Sequence, residues 1–433
     1  MNARRRQRLL DKLGDGLLIL PTASETIRNG DVHHSFRAGS DLFYLTGFSE
    51  PQAILVARRT GRGRHTTVLF VQARDKTREV WDGPRAGVQG VIKEFGADEA
   101  FPIDEFWKRL PKLMGETERV YHTLGLDEEF DQRLMTAFRG WSQLRRRRNP
   151  PAHPVIEDPR PALAELRVIK DTGEIRELEQ AARISTAGHL RAMAEARGGM
   201  MEFEVQALLE GEFRSLGSRR NGYDSIVASG ANACVLHYVK NDRKMRRGDL
   251  LLIDAGAESN QYTADITRTF PVNGQFSEPQ KEIYQAVLSA QKAAIKTIRP
   301  GTAWDAPHKT AVRVLTRRLV KLGILRGDPV KLVKKGACRK WFMHGTSHWL
   351  GMDVHDVGSY EDSEGRPIKL RSGMVLTVEP GLYIDRADKS VAAEYRGIGV
   401  RIEDDVLVTR TGHRVLTAGV PKEVKDVEAA CSA

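Results

Sequence analysis

The chain has 433 residues, 40% apolar and 29% charged, a balance that predicts a water-soluble globular protein with more than one hydrophobic core. No apolar run is long enough to span a bilayer, and the three widely spread cysteines, Cys234, Cys338 and Cys431, exclude a disulfide framework and point to a reducing, cytoplasmic compartment. The net charge of +11 permits loose adhesion to nucleic acid, but no zinc-finger, RNP or basic-zipper pattern supports specific recognition, and the basic clusters at residues 4–6 and 145–148 read as solvated surface.

The first residues, MNARRRQRLLDKLG, carry basic side chains without an extended apolar core, so a secretory signal is not expected. Asp11 and Asp15 also speak against a transit peptide. A helix over residues 4–13 leads to short apolar runs at 17–20, 43–45, 53–57 and 66–71, which read as strands. Helical patterns follow near 88–95, 104–113 and 129–143. Residues 1–165 thus read as a mixed α/β domain without a phosphate-binding glycine loop or a complete catalytic apparatus. Within it, Asp41 and Trp81 are candidates for reaching a partner's site; a turn carboxylate and a core or interface aromatic are the ordinary alternatives. Asn149-Pro150-Pro151, with Pro154, Pro159 and Pro161, predicts an extended, irregular linker.

Residues 166–433 read as a second domain. Helices over 172–196 and 202–216 end at Gly198-Gly199 and at Gly217. Strand-like pieces follow, including 225–228 and the stretch LLIDAGAESNQYTADITRTFP at 250–271. This stretch reads as a strand ending at Asp254, a turn through Gly256 to Asn260, and a return strand over 262–270 with Asp265 in its middle. Alone, it is explained equally well by a metal site or by a turn-capping and a solvent-facing Asp. The pattern then recurs. Ser277 and Gln280 form a capping box for a helix that Pro300-Gly301 stops, a second helix stops at Gly323, and strands follow at 374–378 and 399–408. Each half therefore reads helix, helix, strands. The first half brings Asp254 and Asp265, the second Glu379 and Glu403, and a pseudo-two-fold arrangement would converge them.

Histidine is concentrated in one place: His344, His348 and His355 fall within twelve residues. The pair Cys234 and His237 has half of a zinc-finger spacing, but no second pair completes it. In GVRIED at 399–404, Arg401 and Glu403 alternate with Val400 and Ile402, and a Glu beside an apolar face is costly unless paired or bound to a metal. Four carboxylates and one imidazole make an oxygen-rich donor set for two hard divalent cations with bridging carboxylates. That set suits Mn2+ first, with Co2+ or Zn2+ less specific. Such a pair lowers the pKa of a shared water and makes hydroxide available for hydrolysing an amide or ester. Each acid has an ordinary alternative as a turn, cap or ion-pair residue; all five donors together do not.

The set IDAG…ADITRTFPV, HGTSHWLGMDVHD, TVEPGLY and GVRIEDD resembles the signatures of the pita-bread metallopeptidases of family M24, and among them those of aminopeptidase P. The segment SDLFYLTGFSEP resembles that group's N-terminal domain. The resemblance implies an α/β N-terminal domain followed by an α+β pita-bread catalytic domain with pseudo-two-fold halves. It implies metal ligands Asp254, Asp265, His348, Glu379 and Glu403, with Asp265 and Glu403 bridging and Glu379 also the proton shuttle. It implies substrate binding and oxyanion stabilisation by His355 and His237. His344, Tyr383 and Arg401 would surround the proline pocket and the peptide beyond it, with loop orientation as the alternative for His344. The implied substrates are peptides with proline in second place, and the implied assembly is a homodimer or homotetramer in which Asp41 and Trp81 are candidates for contacts in trans. A prolidase restricted to Xaa-Pro dipeptides is the nearest alternative, and a non-catalytic peptide-binding module the more distant one.

Overall fold

A computed structural model describes residues 2–60, 64–145 and 153–432. The start of the expected linker, at 149–151, and the side chains of the 145–148 basic cluster lie outside the described residues. The chain forms two compact units, Met1–Leu166 and Arg167–Ala433. Among the described residues no helix is long and apolar enough to cross a membrane.

The first unit is built on a mixed six-stranded sheet. Strand Gly16–Pro21 pairs antiparallel with Ile54–Thr60, which pairs antiparallel with Arg64–Val71. Parallel strands Glu99–Pro102, Arg119–Tyr121 and Val155–Glu157 extend the sheet at its two sides. Leu17, Ile19, Val56 and Phe70 meet Phe106, Leu110 and Phe138 in its core.

Three expectations for this unit are corrected. The basic cluster at 4–6 is not all solvated surface: Arg5 and Arg6 are buried, and their guanidinium groups donate to the Tyr44, Leu45 and Gly96 carbonyls. The apolar run at 43–45 is helical, within Ser40–Thr46. Gly39 precedes the helix, and Gly47, at φ 74°, closes it in the left-handed region, where a side chain would be strained. The aromatic run reads as a strand only when these brackets are ignored. The proline-rich stretch is also not irregular throughout: it contains the strand Val155–Glu157 and the helix Arg160–Arg167. Pro161 is tolerated there because the first turn has no intrahelical acceptor for the N–H it lacks.

The second unit repeats one motif. Helix Thr172–Glu195 packs on Glu202–Ser215, and Glu278–Lys296 packs on Ala306–Lys321. The first helix starts with a complete capping box: Asp171 accepts from Gly173 and Glu174 N–H at 2.8 and 3.0 Å, while Glu174 accepts from Asp171 N–H at 2.9 Å. Each helix pair covers a short antiparallel sheet. In the first, Leu250–Asp254 lies between Ile226–Ser229 and Thr267–Pro271; in the second, Asp404–Val408 lies between Val375–Val378 and His413–Val415. Leu251, Ile253, Phe213, Val287, Leu315, Leu376 and Val406 share one core.

The return strand expected over 262–270 is broken. Tyr262–Thr263 pairs with Glu258–Ser259 in a separate hairpin, and the long partner of Leu250–Asp254 starts only at Thr267. Asn260 and Gln261, at φ 47° and 65°, make the two-residue left-handed turn whose twist suits such a hairpin. Asp265 therefore sits in the gap between two strands rather than within one. The run at 399–408 breaks likewise, into Ile398–Arg401 and Asp404–Val408, with Glu403 at the break.

Candidate active site

The two broken strands place the acids. Asp254 ends its strand opposite Thr267, and Asp265 lies just before that partner strand begins. Val378 pairs with Asp404, so Glu379 follows the end of one strand while Glu403 precedes the start of its neighbour. Each half thus presents one carboxylate at a strand exit and one at the adjacent strand entrance. All four, with His348, line a single cavity of about 480 Å³.

His348 comes from the irregular segment that runs alongside Val375–Val378. Its N–H donates to Thr377 Oγ1 at 3.1 Å, and its carbonyl accepts from Thr377 N–H at 3.0 Å. Nδ1 lies 3.0 Å from the Trp349 carbonyl, which can only accept, so Nδ1 carries a proton and Nε2 faces the acids. Nε2 is 3.3 Å from Asp265 Oδ2 and 3.5 Å from Glu379 Oε1. Asp265, His348 and Glu403 each offer a ligand atom, and the three atoms lie within 4.8 Å of one another. Glu403 accepts from the Thr267 hydroxyl at 2.6 Å. Glu379 N–H donates to the Thr346 carbonyl at 2.9 Å.

Charge in this cavity is out of balance. Burial pushes the Glu379 carboxyl up to about 7, with Asp265 adding to the rise and His348 opposing it. Burial, then the charges of Asp265, Glu379 and Asp254, hold Glu403 well above the carboxylate range. Asp265 is raised too, by burial and by Asp254. Burial also works against Asp254, but the Arg401 guanidinium beside it brings that acid below its ordinary value. Burial lowers His348, yet its contacts with Asp265 and Glu379 outweigh this and carry it to about 9. Three buried carboxylates and the partly buried Glu379 face the Arg401 guanidinium and the His348 imidazole. This oxygen-rich, imidazole-containing donor set, short of positive charge, fits hard divalent cations.

The remaining expected residues divide into two groups. His237, His344 and His355 line the cavity, with Leu236, Val239 and Val354 as apolar wall. The His355 and His348 rings meet edge to face at 4.5 Å. Burial and Arg401 lower His344 to about 4, so its imidazole is neutral. Tyr383 is buried behind His344, whose Nε2 is 2.8 Å from the phenol oxygen. Arg401 is 4% exposed and bonded through each of its nitrogens: Nη2 donates to Asp254 at 2.5 Å, Nη1 to Tyr383 at 3.0 Å and Nε to Thr267 at 3.1 Å. Asp41 belongs to the other unit, in the first turn of helix Ser40–Thr46, and Trp81 in that unit is 83% exposed. Cys234 takes no part with His237: its thiol lies 3.5 Å from the Ile384 carbonyl, and burial pushes it up to about 12.

Sequence reasoning passes over Tyr223. Its hydroxyl lies 2.7 Å from Asp254 Oδ1 and 2.5 Å from Asp265 Oδ1. It reaches them from a loop 31 residues before Asp254, so no local pattern announces it. The loop wording NGYDS ahead of a strand is the only signal, and it is weak.

A strand-exit and strand-entrance pair from each half, closed by one histidine, defines a metallopeptidase of the pita-bread fold. The Peptidase_M24 family model, metallopeptidase family M24, matches residues 176–410, and the aminopeptidase P N-terminal domain model matches residues 2–121. The chain belongs to metallopeptidase family M24 and, within it, to the Xaa-Pro aminopeptidases. The Xaa-Pro aminopeptidase of Haemophilus influenzae is 43% identical over 411 residues, covering 95% of this chain and 92% of that one. Aminopeptidase PepP of Pseudomonas aeruginosa superposes with a TM-score of 0.96 at 46% identity, over 100% of this chain and 97% of that one. The zinc-substituted Escherichia coli aminopeptidase P in complex with product superposes at 0.95 with 42% identity, over 100% and 97%.

Proposed function

We propose that the chain removes the N-terminal residue from peptides whose second residue is proline, using two divalent cations held by Asp254, Asp265, His348, Glu379 and Glu403. The observation that carries this reading is the convergence of Asp265, His348 and Glu403 within 4.8 Å, flanked by the other two acids. The oxygen-rich donor set favours Mn2+, with Co2+ or Zn2+ able to substitute. When bound, the cations supply Lewis-acid activation of the attacking water and of the scissile carbonyl.

The chain's own residues do the rest. Glu379 takes the proton from the attacking water at a carboxylate oxygen and passes it to the departing proline nitrogen; its burial keeps the protonated form accessible near neutrality. His355 and His237, on the cavity wall, bind the substrate and stabilise the oxygen that gains charge. An Xaa-Pro bond is a tertiary amide with no N–H to recognise, so selectivity must come from shape. His344, with Tyr383 fixing its ring, forms one side of a site for the proline. Arg401 is a positioning residue: bonded through all three of its nitrogens, it holds Asp254 and Tyr383 in place. Function in the cytoplasm as a homodimer or homotetramer, with Asp41 and Trp81 reaching a neighbouring site, completes the reading, as does a domain division near residue 165.

Rates on an Xaa-Pro dipeptide and an Xaa-Pro-Yaa tripeptide in Mn2+ buffer test it, with Asp265→Ala as control. Faster tripeptide cleavage, lost in the variant, is expected. Dipeptide preference would move the activity to prolidase, and cleavage of neither would refute the substrate class.

A further inference from the structure

The excess positive charge of this protein is concentrated in one place. Residues 306–340 contain eleven lysines and arginines against one acid, Asp328, so ten of the eleven net positive charges of the chain fall in this segment. The clusters at 4–6 and 145–148 are balanced by acids elsewhere. The segment comprises helix Ala306–Lys321, helix Pro329–Lys334 and the turn Ala337–Lys340. Together they wall a cavity of about 1090 Å³, larger than the one that holds the acids.

Lys309, Arg313, Lys334, Lys335 and Arg339 line that cavity, and among the described residues no carboxylate does. Among the described residues, Lys309 alone of the five pairs with an acid, Asp305 on its own helix at 2.6 Å. Val312, Val333 and Phe342 add apolar wall. The volume suits several residues of an extended peptide. His344 and Gly345 line both this cavity and the one that holds the acids, so the two are neighbours.

We propose that this basic cavity is a subsite for carboxylate-bearing residues of the substrate peptide, lying downstream of its proline. The inference rests on the proposed peptidase reading, which places His344 beside the proline. From there the chain continues past His344 into the neighbouring chamber, lined by both apolar and cationic side chains. The enzyme therefore prefers peptides with Asp or Glu beyond the third position. A concave chamber joined to the site fits a peptide better than a polynucleotide, which needs an extended basic track.

The test uses the Mn2+-loaded full-length enzyme and three peptides: Ala-Pro-Ala, Ala-Pro-Ala-Glu-Glu-Glu and Ala-Pro-Ala-Lys-Lys-Lys. The readout is the ratio of kcat/KM on the acidic peptide to that on the basic one, which is insensitive to the fraction of folded enzyme. At low salt the ratio is expected to be about tenfold or more, from several partly exposed ion pairs acting together. It should shrink at high salt and fall below one in the Lys334→Glu, Lys335→Glu double variant. A ratio near one, with Ala-Pro-Ala cleaved normally, would overturn the subsite and leave the peptidase reading standing. Failure to cleave Ala-Pro-Ala would overturn both. Salt-sensitive binding of single-stranded RNA that acidic peptide does not compete with would overturn the proposal in favour of a polynucleotide.

Discussion

Tyr223 donates one hydroxyl proton between two carboxylates. A single O–H serves one acceptor at a time, so its position between Asp254 and Asp265 fixes the orientation of both without satisfying both. Support of this kind typically accounts for a factor of ten to a hundred in metal affinity. Tyr223→Phe is expected to weaken metal binding by about tenfold and lower kcat/KM by a similar factor. Calorimetric metal titration beside kinetics checks this, and unchanged affinity would reduce the phenol to a space-filler. The contrast with the ligands shows what the sequence exposes at this scale. Asp254, Asp265, His348, Glu379 and Glu403 lie in short distinctive wordings. Tyr223 and the hydroxyls of Thr267 and Thr377 become visible only when separate segments meet. His189 belongs with them. It is fully buried, its Nε2 donates to the Ala255 carbonyl at 3.0 Å, and its Nδ1 has no hydrogen-bond partner among the described residues. Burial, chiefly, lowers it from 6.5 to about 4. A folded-state value below the unfolded one means that the unfolded chain binds the proton first as pH falls. Above pH 6.5 the residue has no effect; between 6.5 and about 4 stability drops, by about 3 kcal/mol in all, and then levels. His189→Gln keeps a donor and removes the titration. Urea unfolding at pH 7 and pH 4.5 should show the wild type losing more than the variant, and parallel losses would refute the assignment.

At the scale of elements, the site depends on strands that stop in the right place. The sequence shows the apolar runs and their turn residues, and the paired helix–helix–strand order of the halves is legible from it. It does not show that the return strand breaks at Asp265, because Tyr262, Thr263, Ile266, Thr267, Thr269 and Phe270 place β-forming residues on both sides of it. The break comes from packing. At Gly256 an added Cβ would lie 1.8 Å from the Ala264 carbonyl oxygen and 2.6 Å from its carbon. Both are backbone atoms with no rotamer to yield. This close approach lets the chain fold back on itself directly after Asp254 and sets Asp265 beside it. Gly256→Ala is therefore expected to destabilise the protein by about 3 kcal/mol and to impair metal binding, since relief must move one aspartate relative to the other. Gly412→Ala, where an added Cβ meets nothing within 4 Å, is the matched control. Equal urea midpoints for the two variants would remove Gly256 from this role. The short helix at Ser40–Thr46 teaches the same lesson from the other side: bracketing glycines, rather than the apolar run between them, decide the element.

At the scale of the whole molecule, the two units have different stakes in the metal. The catalytic unit gathers four carboxylates whose mutual repulsion is only partly met by Arg401 and His348, and three of the four are raised above their ordinary values. Its halves are also joined by a buried pair: Arg268 donates to Asp404 at 2.7 Å and to the Val420 and Pro421 carbonyls at 3.0 and 3.1 Å. The Asp404 carboxyl, resisted by burial but paired with Arg268 and Lys422, is held at about 2. That junction is satisfied without metal, whereas the acid cluster is not. A cation that binds the folded state and not the unfolded one adds about 4 kcal/mol at a thousandfold excess over its dissociation constant. Chelation should withdraw that stabilisation from the catalytic unit selectively. Hydrogen exchange before and after EDTA is the direct measurement. Amide protection in Leu250–Asp254, Val375–Val378 and Asp404–Val408 is expected to fall by two to three orders of magnitude (roughly 4 kcal/mol). Protection in Gly16–Pro21 and Ile54–Thr60, whose sheet belongs to the other unit, should hold. Loss spread evenly over both units would mean that metal stabilises the chain as one cooperative body. No loss anywhere would mean that Arg401 and His348 already balance the acids.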